Sequence, residues 1–197
     1  MIMKIKDSTL DIRQVSLYCG FSEETVQNWI EKGELKATPV QEGHYRISVA
    51  DLVDFLIKYN LPIPDKILSP GTKKVLIIVN EEKTVLDTLL ECFKKENIQD
   101  FIIDCSAYGL DTHMKLFLFK PDLVLIDLPA PLIDGFDLCE VIKQTPEFSN
   151  TKVMVISRSP SDEKISFVKK LGIDALLPRN TEIRILLDKM KKLFENI

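Results

Sequence analysis

The spacing of apolar residues changes once along the chain, and the change separates two kinds of structure. Over residues 11–31 and again over residues 48–56, apolar residues recur at intervals of three and four, as they do on one face of a helix. From Val75 onward, short continuous apolar runs such as VLIIV alternate with helical stripes. Such runs are typical of strands that a parallel sheet buries on both faces. The pattern predicts a small, mainly helical domain followed by an α/β domain.

The segment between the two halves begins at Tyr59 and reads YNLPIPDKILSPGTKK. Its three prolines, followed by Gly71, disfavour both helix and strand. We therefore predict a first domain over residues 1–60, a linker over residues 61–73 and a second domain over residues 74–197.

The first half carries local signals for two short helices joined by a tight turn. Asp11 opens a capping box, Gly20 suits the left-handed conformation that ends a helix, and Ser22 can cap a second helix over residues 23–31. Ser16 is small where the two helices must cross, as a helix-turn-helix requires. The apolar positions predict a compact core made of Ile12, Val15, Cys19, Phe21, Val26, Trp29 and Ile30.

A hairpin and a third helix should complete this domain. Residues 35–47 read LKATPVQEGHYRI, two short runs around a polar turn, which predicts a hairpin, or wing. Ser48 and Asp51 form another capping box before an apolar helical stripe. The stretch from Leu10 to Leu56 resembles the winged helix-turn-helix of the excisionase and MerR-like families. The features that carry the resemblance are the Gly20 turn, SEETV at 22–26, the exit from Trp29 to Leu35, and Arg46-Ile47.

The resemblance implies that the helix over residues 23–31 reads DNA and that the hairpin flanks it. Gln27 and Asn28 can each make two hydrogen bonds to adenine, and Glu24 can accept one from cytosine, while nearby basic residues can meet phosphates. The predicted DNA-binding residues are Ser22, Glu24, Gln27, Asn28, Lys32, Lys36, His44 and Arg46. The same helix face also carries Glu31, and phosphates repel carboxylates, so a protein-binding role for this fold stays open.

The second half alternates five predicted strands with helical stripes. The strands are expected at residues 75–79, 101–105, 123–126, 153–156 and 175–177. A helix follows each of them, and the last carries its apolar stripe from Ile183 to Phe194. This order predicts a doubly wound, flavodoxin-like α/β domain with a five-stranded parallel sheet, and its functional residues belong at the carboxyl ends of the strands.

Polar residues stand at four of those strand ends. Asn80 and Glu81 follow the first strand, Asp127 follows the third, Ser157 ends the fourth, and Arg179 follows the fifth. Because these ends meet at one edge of a parallel sheet, acidic groups, a hydroxyl and a cation should converge there.

This edge resembles the phosphoacceptor pocket of receiver domains in two-component signalling. The resemblance is strongest over PDLVLIDLPAPLIDGFDLC, residues 121–139. It implies that Asp127 accepts a phosphoryl group from a histidine of a sensor kinase or phosphotransfer protein. It further implies a Mg²⁺ ion held by Asn80, Glu81, Asp127 and the backbone carbonyl of Pro129, and phosphoryl oxygens held by Ser157 and Arg179.

Several positions depart from the receiver pattern. They are Asn80 in place of a carboxylate, Arg158 in place of a small residue at the entrance, Arg179 and Asn180 in place of lysine and proline, and Leu176 in place of an aromatic residue. A lost carboxylate weakens a magnesium site, and Arg179 can pair with Asp127 or Glu81 in the resting state. We therefore expect weak magnesium binding and slow or absent phosphorylation. The alternative is a pseudo-receiver that serves as a dimerisation or docking surface.

Charge and cysteine content limit the remaining possibilities. The chain has 26 basic and 30 acidic residues, so any DNA contact must be local, since proteins that coat nucleic acid are usually basic. The four cysteines form no CxxC pair and the only histidines are His44 and His113, which favours reduced thiols over a zinc site. No apolar run reaches the roughly 20 residues that span a bilayer, and the start lacks a signal-peptide pattern. We expect a cytoplasmic protein.

The sequence therefore predicts a DNA-binding response regulator rather than an enzyme. Reading two half-sites usually takes a dimer, and the first domain has no long helix to form one. We expect a homodimer joined through the receiver-like domain. The alternative is an adaptor that binds proteins through both domains and no DNA. A flavodoxin-like redox enzyme is disfavoured because no glycine-rich loop follows Val79.

Overall fold

The computed structural model describes residues 8–41, 44–79, 91, 101–107, 109–128, 133–157, 166–167 and 169–195. The chain forms two compact units, and the principal division along it falls between Thr72 and Lys73. None of the helices within these ranges has the length and apolar character that crossing a bilayer needs. The predicted domain bounds, residues 1–60, 61–73 and 74–197, stay a prediction.

The first unit combines three short helices with a small antiparallel sheet. Its helices are α1 (Ile12–Cys19), α2 (Glu23–Glu31) and α3 (Val49–Lys58), and its strands are β1 (Thr9–Leu10), β2 (Thr38–Gln41) and β3 (His44–Ser48). The strand order is β1-β3-β2, so the predicted hairpin is present and β1 adds to its β3 edge. The sequence did not predict β1, since two residues are too few to show a period.

The helix ends of this unit follow the local signals in the sequence. The Asp11 capping box is complete, and Gly20 adopts the left-handed conformation with φ of 75°. The side chains of Ser22 and Ser48 cap α2 and α3. Ser16 does more than leave space at the helix crossing, because its hydroxyl donates to the carbonyl of Phe21 at 2.6 Å. That bond ties α1 to the turn that leads into α2.

The core of the first unit centres on residues outside the predicted set, among them the fully buried Leu35, Ile47, Leu52 and Leu56. Of the seven predicted core residues only Val15 and Val26 are fully buried, and the other five are half-buried. The same unit also contains a row of aromatic contacts. Ring centroids lie 4.9 Å apart for Phe21 and Trp29, 4.8 Å for Trp29 and Phe55, and 4.7 Å for Phe55 and Tyr59. Tilted and edge-on aromatic pairs of this kind add to the stability that burial supplies.

The segment predicted as a linker is ordered where the structure describes it. The backbone N–H of Leu61 donates to the carbonyl of Leu56, and a short 3-10 turn covers Asp65–Ile67. Ile63 and Ile67 are buried. The helix α3 ends at Lys58, four residues before the first proline, and Asn60 takes the left-handed conformation there, with φ of 50°. The segment also buries apolar side chains, which a free tether does not do.

The second unit is the predicted doubly wound α/β fold. Its strands are β4 (Lys73–Val79), β5 (Phe101–Ala107), β6 (Leu123–Leu128), β7 (Lys152–Ser157) and β8 (Ala175–Pro178), in the order β5-β4-β6-β7-β8. Its fully bounded helices are α4 (Leu110–Phe119), α5 (Ile133–Gln144) and α6 (Ile183–Glu195). The helices predicted after the first and fourth strands fall largely outside the described residues. Every residue of the central strand β6 is buried, as its continuous apolar run indicated.

Two aspartates set the register of the sheet at the amino ends of its strands. The carboxylate of Asp122 accepts the backbone N–H of Lys74 at 2.7 Å, and that of Asp174 accepts the backbone N–H of Val153 at 2.8 Å. Lys143 binds Asp174 at 2.6 Å. Each bond joins the start of one strand to the residue that precedes its neighbour. The bonds therefore fix the shift of the strands along each other, and with it the relative positions of their carboxyl ends. The residues at those ends form the pocket described below.

The cysteines are reduced in the part of the chain that is described. Cys19, Cys105 and Cys139 are free thiols, and Cys92 lies outside the described residues. Burial raises the pKa of Cys19 to about 11 and that of Cys105 and Cys139 to about 12. Since the thiolate is the reactive form, these three side chains are structural and inert near neutral pH.

Candidate functional site

The outer face of α2 is a row of exposed polar side chains. Glu24, Gln27, Asn28 and Glu31 are all exposed, while Val26 on the opposite face is fully buried. The face predicted from the helical period is therefore the one that the fold leaves open. Its amides present both donors and acceptors, which is what base edges in a major groove require.

Two side chains on this face already have partners. Gln27 Nε2 donates to Glu31 Oε1 at 2.8 Å, one helix turn further on. The Ser22 hydroxyl accepts the backbone N–H of Thr25 at 3.1 Å and bonds the Thr25 hydroxyl at 2.7 Å. Ser22 therefore has a capping role, and its predicted contact with DNA stays a prediction.

The hairpin presents a second polar surface in the same unit. His44 and Arg46 are exposed, and both alternate with Tyr45 along β3. Arg46 Nη1 lies 3.9 Å from Asp11 Oδ2, and both side chains are about half exposed. Beside them is an open groove of about 320 Å³, lined by Asp11, Val40, His44, Tyr45 and Arg46. Val40, which is 59% exposed, and Asp11 were not predicted to belong to this surface. The predicted phosphate-binding residues Lys32 and Lys36 are also exposed.

In the second unit, Asp127 occupies the position that the strand pattern predicted. It is the fifth of six residues in β6, so the strand extends two residues beyond the expected end at residue 126. Arg179, directly after β8, places Nη2 at 3.1 Å from Asp127 Oδ2. The Asp127 side chain is 6% exposed and that of Arg179 is 18% exposed. The expected resting pair between Arg179 and Asp127 is therefore present, and it is largely withdrawn from water.

Ser157 stands between these two residues in the sheet. It ends β7, pairs with Leu128 of β6 on one side and Pro178 of β8 on the other, and is buried. The backbone N–H of Arg179 donates to the Ser157 carbonyl at 2.9 Å. This bond holds the Arg179 backbone beside the end of β7. The next strand, β6, lies about 5 Å further on, and the Arg179 side chain spans that distance to reach Asp127. The Asp127 carboxylate and the Arg179 guanidinium thus meet at the end of the sheet where Ser157 ends β7.

The remaining predicted pocket residues, Asn80, Glu81, Pro129 and Arg158, lie outside the described residues. Within the described ranges there is no group of three or more His, Cys, Asp and Glu residues suited to a metal ion. Of the predicted metal ligands, only Asp127 lies among the described residues, and the positively charged guanidinium of Arg179 lies 3.1 Å from its carboxylate. Arg179 therefore competes with any cation for Asp127.

Comparison with known proteins finds a family match for each of the two units. Residues 9–58 match the family described as helix-turn-helix domain, and residues 76–191 match the family described as response regulator receiver domain. The signal receiver domain of a DNA binding response regulator protein (merR) from Colwellia psychrerythraea 34H is 26% identical, with a TM-score of 0.55, over 61% of this chain and 98% of that one. The chemotaxis response regulator CheY4 of Vibrio cholerae, at 17% identity, a TM-score of 0.53 and coverage of 62% and 98%, supports the fold alone.

One curated relative comes from another functional class. The protein-glutamate methylesterase/protein-glutamine glutaminase 3 of Geobacter sulfurreducens is 30% identical over 104 residues, which are 51% of this chain and 26% of that protein. The chain thus spans about a quarter of the length of this relative, and the likeness carries no activity over.

Proposed function

The chain belongs to the response regulator receiver domain family, and from this premise we propose that it is a DNA-binding response regulator of a bacterial two-component pathway. One observation carries the proposal: a helix-turn-helix with an open polar face on its second helix shares a chain with a receiver domain. A regulator, rather than an enzyme, is what this combination of domains favours.

In this proposal α2 enters the major groove and the hairpin flanks it. Gln27 and Asn28 contact adenine, and Glu24 accepts from cytosine. Exposed basic residues around them meet phosphates, which position the protein without reading sequence. The proposed DNA contacts are Ser22, Glu24, Gln27, Asn28, Lys32, Lys36, His44 and Arg46.

Electrophoretic mobility shifts of the full chain with genomic DNA fragments test this proposal. Measured at several salt concentrations, log K should fall linearly with log salt, with a slope of about −0.9 for each phosphate contacted. Four basic residues of each protomer belong to the proposed contacts, so a slope of about −3.6 for each bound protomer is the expected limit. No shift of any fragment at low salt would remove the DNA-binding role.

In the receiver domain we propose Asp127 as the phosphoacceptor, held back by Arg179. During transfer a bond forms between a carboxylate oxygen and phosphorus while the bond from phosphorus to the donor's histidine nitrogen breaks, and that nitrogen keeps the electron pair. Ser157 and Arg179 would donate hydrogen bonds to the phosphoryl oxygens. Arg179 must first release the carboxylate, since the two lie 3.1 Å apart. We therefore expect slow transfer from a sensor histidine kinase or phosphotransfer protein.

Magnesium binding should be weak for the same reason. When bound, Mg²⁺ would neutralise charge between the carboxylate and the phosphoryl oxygens, with Asn80, Glu81, Asp127 and the Pro129 carbonyl as proposed ligands. Arg179 competes for Asp127, and Asn80 contributes no charge. Intact-mass measurement after incubation with acetyl phosphate and Mg²⁺ tests this directly. Slow or absent addition is expected, and rapid, near-complete addition that Asp127→Ala abolishes would show an ordinary switch.

The second candidate is an adaptor that binds proteins and no DNA. It is favoured by the exposed carboxylates on and beside α2, which are Glu23, Glu24, Glu31 and Glu34. Phosphates repel such a surface, whereas a basic protein surface would complement it. The mobility-shift experiment separates the two candidates, because an adaptor shifts no DNA fragment at any salt concentration.

A further inference from the structure

We propose that Glu31 is a positioning residue whose carboxylate holds Gln27 in the orientation that reads an A·T base pair. The inference rests on the proposed function, because it concerns how α2 would recognise DNA. It starts from the hydrogen bond of 2.8 Å that Gln27 Nε2 donates to Glu31 Oε1. Both side chains lie on the exposed outer face of α2.

The chemistry of the two groups fixes the orientation of the amide. A carboxylate accepts hydrogen bonds and donates none, so the atom of Gln27 that faces Glu31 must be the amide nitrogen. The nitrogen has two hydrogens, and Glu31 takes one of them. When Glu31 takes the hydrogen that points away from the amide oxygen, the other hydrogen and the oxygen lie side by side and stay available. These are the donor and acceptor that adenine N7 and N6 require.

A carboxylate at this place is otherwise unfavourable. Glu31 is the last residue of α2, where the helix carries partial negative charge and an acidic side chain destabilises it. Glu23 and Glu24 lie in the first turn of the same helix, where the helix dipole is positive and a carboxylate stabilises the helix. In a complex with DNA, Glu31 would also repel phosphates. Orientation of Gln27 is the benefit that the contact supplies, since a side chain ordered beforehand loses less freedom on binding.

The test is selection of DNA from a duplex library with a randomised core. It uses five forms of the full chain: the parent, Glu31→Ala, Glu31→Gln, Gln27→Ala and Glu34→Ala. Glu31→Ala removes both charge and acceptor. Glu31→Gln removes the charge but keeps an amide oxygen that Gln27 can use. Glu34→Ala is the matched control, because it removes an exposed carboxylate just beyond the same helix end. Sequencing of the selected DNA gives base preference by position, and anisotropy gives affinity for random DNA.

We expect Glu31→Ala to bind random DNA more tightly than the parent and yet lose adenine preference at one position by about fivefold or more, the lower limit for a bidentate base contact. Gln27→Ala should lose preference at that same position. Glu31→Gln should gain affinity for random DNA and keep the preference, and Glu34→Ala should do likewise. A helix that was merely loosened would instead lose preference at every position that α2 reads.

Three results overturn the inference, and each identifies what failed. If the parent selects sequences and Glu31→Ala selects the same ones, Glu31 does not position Gln27, and the proposed function stands. If Glu31→Gln loses the preference together with Glu31→Ala, charge rather than hydrogen bonding is responsible. If the parent binds no duplex, the proposed function fails and this inference fails with it.

Discussion

The ion pair between Arg179 and Asp127 is the residue-scale contact on which the proposed restraint of phosphorylation depends, because Arg179 Nη2 lies 3.1 Å from Asp127 Oδ2. The strand pattern had placed both residues, together with Ser157, at this edge of the sheet. The Asp122 and Asp174 contacts were not predictable, because their partners stand 48 and 21 residues away and carry no side-chain signal. The Gln27–Glu31 bond, in contrast, joins residues four apart on one helix, a spacing that the sequence does show.

At Asp127 we predict a stability effect larger than any effect on DNA affinity. Asp127→Ala leaves the guanidinium of Arg179 without this partner in a site where its side chain is 18% exposed. Breaking a fully buried pair costs about 3–5 kcal/mol, and the partial exposure of Arg179 should reduce the loss to about 2 kcal/mol. Urea unfolding measures it, with the exposed Asp137→Ala as control. Unfolding at the parent's urea concentration would show that the pair contributes nothing.

At Arg179 we predict that restoring the family's lysine speeds phosphorylation. Lysine is a compact point charge on a flexible four-carbon stem, and it lacks the planar fork with which arginine binds a carboxylate. Arg179→Lys should therefore free Asp127 and raise its rate of labelling by acetyl phosphate, followed by intact mass. Labelling no faster than in the parent would place the restraint elsewhere, with residues such as Arg158 or Asn80.

Elements were predictable when their signals are local. Caps, the Gly20 turn and the bounds of α1 and α2 follow from residues a few positions apart, so the predicted and observed helices agree. The strand β1 was missed because its two residues pair with β3, and only the completed hairpin creates its place. The linker was predicted from three prolines and Gly71. The burial of Ile63 and Ile67 depends on tertiary contacts, which the composition of the segment does not indicate.

The hairpin and α2 should affect DNA binding in different ways. Arg46→Ala should weaken binding to all sequences and lower the salt slope by about one, because a phosphate contact carries no base information. Asn28→Ala should relax preference at one position and cost about 1–3 kcal/mol there. Fluorescence anisotropy on a selected duplex and its single-base variants measures both. Parent-like binding by both variants, on selected and random DNA alike, would show that these elements do not contact DNA.

At the scale of the whole molecule, the division into two units was predictable and their assembly was not. Each unit has its own buried core, which is the property that composition and hydrophobic period report. Assembly depends instead on surface complementarity between copies. No pattern in a single sequence records such complementarity, because exposed apolar side chains are common on monomers as well.

We predict that the receiver-like half alone self-associates and that the first half does not. Residues 71–197 should sediment as a dimer and residues 1–60 as a monomer, because the helices of the first unit are too short to form a coiled coil. Analytical ultracentrifugation of the two fragments gives the answer. A dimeric first fragment beside a monomeric second one would reverse the proposed assembly.

The central claim is that this chain reads DNA sequence, and one ratio tests it most directly. The full chain should bind its selected duplex at least about 10³-fold more tightly than a scrambled duplex of the same length, measured by competition anisotropy at physiological salt. Charge attraction alone cannot produce such a ratio, since both duplexes carry the same phosphates. A ratio near one would mean that the outer face of α2 does not read bases, and it would leave a receiver domain joined to a protein-binding helix-turn-helix.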